Sequence, residues 1–210
     1  MKLFVYRPLF IVCCILAYTT AISQSKLFFR EDWKEIPAAT PVTQEHLANP
    51  DLILSLYGPA KDEIKKSNHP PIPNDPYYIW SGDCKGNWAF TLRYGDKWVD
   101  LTGDAKINLR TRQSGFRQLH IILKLSSDAW LVSDQSVPYT PDWIETEFKV
   151  ADLSWRKLNI ETVTEGGPVK NPDLSKVAEI GFTDLMAGGG TPASSRVDWI
   201  EVYGKEVSKK

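Results

Sequence analysis

From residue 88 onward the chain alternates apolar and polar residues with a period of two, almost to its end. Side chains on a strand point alternately to its two faces, so this pattern prescribes half-buried β-strands. "WAFTLRY" puts Trp88, Phe90, Leu92 and Tyr94 on one side and Thr91 and Arg93 on the other. In "KINLRTRQSGFRQLHIILKL", residues 106–125, Ile107 and Leu109 share a side with Thr111, while Leu119, Ile121, Leu123 and Leu125 form a second apolar row. "TEFKV" turns Phe148 and Val150 inward, "KLNIE" does the same with Leu158 and Ile160, and "EIGFTDL" and "RVDWIEVYG" close the series. Turn sequences such as "GDK", "TGD", "SSD" and "EGGP" recur about every 8–12 residues, the spacing of an all-β sandwich or barrel. The expected fold is therefore an antiparallel two-sheet β-sandwich over 80–210.

The stretch 24–79 is less regular. "LFFREDW" reads as a first strand, "DLILSLYG" aligns Leu52, Leu54 and Leu56, and "AKDEIKKS" reads as a short helix. "NHPPIPNDP" is a connector whose prolines cannot donate to a sheet ladder. We expect an irregular N-terminal extension packing on the sandwich, with 24–210 as one folding unit. Ahead of it, Lys2 and Arg7 precede the apolar run "LFIVCCILAYTTAIS", which ends at the small-x-small site Ala21-Ile22-Ser23. That order is a secretory signal peptide over 1–23, with an apolar run shorter than the roughly 20 residues a spanning helix needs. The expectation is an exported protein, periplasmic or extracellular, with no stable membrane span after cleavage.

Removing 1–23 takes away two of the 25 basic residues and none of the 26 acidic ones, leaving a net charge of −3. Such a balance offers no global basic field for nucleic acid. Cys84 is then the single cysteine, so packing rather than a disulfide must stabilise the domain, and its turn-like setting "SGDCKGN" reads as structural. No G-x-S-x-G, H-E-x-x-H, paired C-x-x-C or phosphate loop occurs. "MAGGGTP" lacks the Lys-Ser/Thr of a P-loop and reads as a rim loop, and His46, His69 and His120 are scattered.

The informative feature is the polar row opposite the core of 106–125: Asn108, Arg110, Arg112, then Gln118, His120 and Lys124. Read as a strand pair beside 88–94, these residues and Arg93 form one outward basic patch, with guanidinium forks suited to carboxylates or sulfates. Eight tryptophans add flat apolar surfaces on which sugar rings stack. Trp88 follows the inward row and Trp33 covers a sandwich end, leaving Trp130, Trp143 and Trp199 unplaced.

The run from "FREDW" through "VDLTGDAKINLRTR" to "KVAEIGFTDL…SRVDWIEVYG" resembles the galactose-binding-like jelly rolls of carbohydrate-binding modules, chiefly over 80–204. The resemblance implies a non-catalytic carbohydrate ligand, here an acidic polysaccharide on Arg93, Arg110, Arg112, Gln118, His120 and Lys124. It also implies a structural calcium on Glu31, Asp32 and Asp198, although Trp33 stands where the family usually has a small residue. Arg110 with "Q-L-H" at 118–120 is similar to the R…Q-x-H arrangement of jelly-roll polyuronate lyases. That similarity implies an alternative in which Arg110 and Gln118 neutralise a uronate carboxylate and His120 removes the C5 proton. A structural domain that docks a protein partner is the third class.

Overall fold

The computed structural model describes residues 25–186 and 193–209. The expected signal peptide and most of the glycine-rich rim loop lie outside them. The described residues form fourteen strands and three single turns of 3-10 helix, with no α-helix among them. In chain order the strands are β1 (Lys26–Glu31), β2 (Leu52–Tyr57), β3 (Lys65–Ser67), β4 (Tyr78–Trp80), β5 (Ala89–Tyr94), β6 (Lys97–Asp100) and β7 (Lys106–Gln113). They continue as β8 (Leu119–Leu125), β9 (Trp130–Val137), β10 (Ile144–Lys149), β11 (Trp155–Asn159), β12 (Thr164–Val169), β13 (Val177–Thr183) and β14 (Ser195–Ser208). Every pairing between them is antiparallel.

Two sheets result, joined by one long strand. Sheet I runs β3-β4-β14-β7-β10, with β1 taking over from β4 along the lower part of β14. Sheet II runs β2-β5-β13-β8-β9-β11-β12. The last residues of β14 leave sheet I and pair with β6, which also touches β13. Gly204 marks this crossing. A Cβ there would lie 2.6 Å from Val99 Cγ2 and 2.7 Å from the Asp100 carbonyl oxygen, so only glycine fits the backbone approach.

Between the sheets lies the core that the alternation specifies. Ile107 and Leu109 from sheet I meet Phe90, Leu92, Leu119, Ile121 and Leu123 from sheet II, all essentially inaccessible. Trp88 and Trp33 join them, and the Trp33 indole N–H donates to the Val197 carbonyl at 3.0 Å. The parity within β5, β7 and β8 agrees with the sequence. Phe148 and Val150 are likewise buried.

Four expectations are revised. Strands β7 and β8 are not a hairpin: β7 lies between β10 and β14, β8 between β9 and β13, and the link 114–118 carries the chain from one sheet to the other. Both apolar rows face the same core, but from opposite sides of it. The stretch 24–79 is no extension, because β1 and β2 add strands to sheets I and II and β3 and β4 build the rest of one edge. "AKDEIKKS" forms one 3-10 turn at Lys61–Glu63 and then β3. Leu158 and Ile160 face outward from sheet II, where they join a second apolar cluster with Ala89, Ile122, Val132 and Val163.

Candidate functional site

The crossing at 114–118 divides the expected basic patch. Arg110 and Arg112 stand on the outer face of sheet I, while Arg93, His120 and Lys124 stand on that of sheet II, with Gln118 just ahead of β8. The six residues therefore form no single surface.

On sheet II, one outward row crosses five strands: Ile53, Arg93, Glu179, Lys124 and Trp130. Glu179 is its centre. Its Oε2 accepts from the Thr91 hydroxyl at 2.6 Å and the Tyr57 hydroxyl at 3.0 Å, and Lys124 Nζ lies 3.4 Å from Oε1. Burial alone would lower the Lys124 pKa, but the Glu179 charge outweighs it and the ammonium is held above its ordinary value. Burial, together with the same carboxylate, pushes the Tyr57 phenol up. The Tyr57 ring meets the Trp130 ring edge-on at 5.1 Å, and Lys124 Nζ lies 5.6 Å from the indole centroid. Strands β2 and β9 are four spacings apart, about 19 Å on a flat sheet. Their side chains meet because sheet II curls towards this face, which is concave.

Cations on this concave face are matched by carboxylates. Arg93 Nη1 lies 3.3 Å from Asp96 Oδ1, Lys124 is shared between Glu179 and Asp128, and Arg156 faces Asp134 and Glu165. His120 Nδ1 lies 2.8 Å from the Ser133 carbonyl oxygen, and Gln118 Oε1 accepts from the Ser136 hydroxyl at 3.0 Å. With Arg110 on the other sheet, the R…Q-x-H set of the lyase alternative does not assemble.

Sheet I presents a different outer face, in which guanidinium and ammonium groups lie against aromatic rings. Arg30 stacks on Trp199 at 4.7 Å, Arg110 on Trp143 at 5.6 Å and Arg196 on Trp80 at 5.6 Å, with Lys65 also over Trp80 at 5.2 Å. These contacts place Trp143 and Trp199, which parity left open, and they fix long side chains that would otherwise swing. Arg110 Nη1 also donates to Asp198 Oδ2 at 2.6 Å. Burial raises the Asp198 carboxyl and the Arg110 charge draws it back only in part.

The three acids expected around calcium are each engaged elsewhere. Glu31 is fully buried and accepts backbone N–H bonds from Trp33 and Ala48 at 2.7 Å and from Asn49 at 3.0 Å. Asp32 binds Arg30, and Asp198 binds Arg110. The oxygens of Glu31 are taken up by these amide donors, and among the described residues no group of three or more His, Cys, Asp or Glu could hold a metal. These residues do not fit a calcium ion. Cys84 is buried with its thiol pushed up to about 12, by burial first and by Glu63 and Asp184 next, so it is no nucleophile.

Sequence reasoning missed Tyr57, Glu179, Trp80 and Arg196. The signal for two of them was present: Glu179 lies opposite Ile180 and Phe182 in parity, and Arg196 lies opposite Val197. They were passed over because each is a lone charge in an apolar strand.

No family model and no curated protein matches the sequence. Among solved structures, the chain is similar to a mutant of a family 29 carbohydrate-binding module, with a TM-score of 0.48 at 10% identity over 85% of this chain and 93% of that one. It is also similar to the family 11 module of Clostridium thermocellum in complex with a β-1,3-1,4-mixed-linked tetrasaccharide, with a TM-score of 0.46 at 14% identity over 81% and 98%. A family 29 module from Piromyces equi gives 0.45 at 10% identity over 84% and 91%.

Proposed function

We propose that this protein is an exported, non-catalytic carbohydrate-binding module whose polysaccharide ligand carries acidic groups, and that the chain of sugars is gripped by the concave face of sheet II. The observation that carries the reading is the row Arg93–Glu179–Lys124–Trp130, with Tyr57 leaning across it. Trp130 offers a half-buried indole for a sugar ring and Lys124 a donor for its hydroxyls, while the buried Glu179 holds the Lys124 ammonium from beneath. Thr91 and Tyr57 hold the carboxylate in place, so little side-chain freedom is lost on binding. Because the cations of this face are already paired, its own contacts suit hydroxyls. The acidic preference belongs to Arg112 and Arg196 on the other sheet, which face no carboxylate among the described residues.

Affinity electrophoresis of the purified protein through gels containing pectin, alginate or mixed-linkage glucan tests the proposal. At least one polysaccharide should retard the protein, and Trp130→Ala should reduce that retardation at least tenfold while far-UV dichroism stays unchanged. Equal retardation of the variant would remove sheet II as the binding face.

A further inference from the structure

Five of the seven described arginines face a carboxylate: Arg30, Arg93, Arg110, Arg117 and Arg156. The two that have none among the described residues are Arg112 and Arg196, and these two stand directly opposite each other across β7 and β14. Cβ atoms in such a pair are about 5 Å apart, and like charges so placed destabilise a sheet. Folding alone gives no reason for the arrangement. Arg112 is exposed and Arg196 half-buried, so both can be reached from solvent. Arg196 is held by the Trp80 ring at 5.6 Å. Trp143 lies one step beyond the pairing of Ile144 with Thr111, in line with Arg112.

We propose that Arg112 and Arg196 form a second binding site, on the face opposite the proposed sugar groove, for an acidic sugar residue held through its carboxylate or sulfate. Two guanidinium forks converging on one oxyanion offer bidentate hydrogen bonds that a point charge cannot. The bound anion cancels the repulsion between the arginines, so that ligand binding relieves a cost built into the fold. Half-buried Trp80, beside Arg196, and Trp143, whose ring reaches across β7 and β14 to pack on Tyr78 at 5.3 Å, supply apolar surfaces next to the pair for the ring that bears the acid. A bare inorganic anion would use the forks and leave these margins idle.

Calorimetric titration at low salt with a galacturonate trisaccharide, its methyl ester, a sulfated galactose trisaccharide and sodium sulfate tests this. At least one acidic trisaccharide should bind, with the methyl ester and sodium sulfate each at least tenfold weaker. Arg112→Gln and Arg196→Gln should each cost tenfold or more, and the Arg112→Lys/Arg196→Lys pair, which keeps the charge without the forks, at least fivefold. Arg112→Gln should melt no lower than the parent, because a repulsion has gone. Trp130→Ala should leave this binding in place, even where it abolishes retention by a polysaccharide gel. The proposal fails if neither acidic trisaccharide binds, if ester and acid bind alike, if sodium sulfate matches the trisaccharide, or if the arginine variants bind as the parent does.

Discussion

Lys66 carries a charge that its surroundings do little to support. It is 1% exposed, among the described residues its ammonium reaches only the Ile36 carbonyl at 3.3 Å and the Tyr77 ring at 4.4 Å, and burial lowers its pKa to about 8. An unfolded lysine titrates near 10.4. Between about 8 and 10.4 the unfolded chain therefore binds more protons than the folded one, so stability rises with pH through that window and carries the full penalty below it. Melting temperature should climb from pH 7.5 to 9.5 in the parent and much less in Lys66→Met, which should be more stable at pH 7 by on the order of 1–3 kcal/mol. Parallel melting curves for the two proteins across that range would refute the assignment. None of this was legible in "AKDEIKKS", which reads as a short helix. The short strand β3 puts Lys65 outside and Lys66 inside.

At the scale of elements, the period-2 pattern told which side of each strand faces the core, and did so correctly for β5, β7 and β8. It could not tell which sheet a strand belongs to, because parity is a local property and sheet membership depends on the link. The link between β7 and β8 is fixed by a contact distant in sequence. Arg117 Nη1 donates to Asp184 Oδ2 at 2.6 Å, with side chains only 4% and 0% exposed, and the Ser195 hydroxyl donates to the same oxygen at 3.1 Å. Gly115, at φ 64° in this link, allows the turn. Removing one partner of a buried ion pair strands the other, a loss of about 3–5 kcal/mol. Arg117→Met should show that loss in urea denaturation at pH 7, and Arg112→Gln, five residues away, should show none. A loss below about 1 kcal/mol for Arg117→Met would mean that the crossing is held by the strands alone. The candidate site suffered from the same blindness. Each of its charges was visible, but their division between two faces was set by this crossing.

For the whole molecule, the sandwich and its extent from residue 80 were legible, and the place of 24–79 was not. A strand such as "LFFREDW" shows that it wants a partner without showing that the partner is the last strand of the chain. In the fold, β1 lies along β14 with Glu31 opposite Ile200, and β2 closes the free edge of β5 with Leu52 opposite Tyr94. Phe28, Phe29, Trp33, Leu52 and Ile64 are all in the main core. A chain beginning at Tyr78 would lose these five side chains and leave an open, apolar edge on each sheet, a template for aggregation. Each large core side chain contributes about 1.5–3 kcal/mol by burial, so their joint loss is comparable with the whole stability of a domain, about 5–15 kcal/mol. We expect 78–210 expressed alone to be insoluble or to lack dispersed amide resonances, and to recover a native spectrum when 25–77 is supplied as a separate chain. A soluble 78–210 with a cooperative melt of its own would show that the N-terminal strands decorate the sandwich after all.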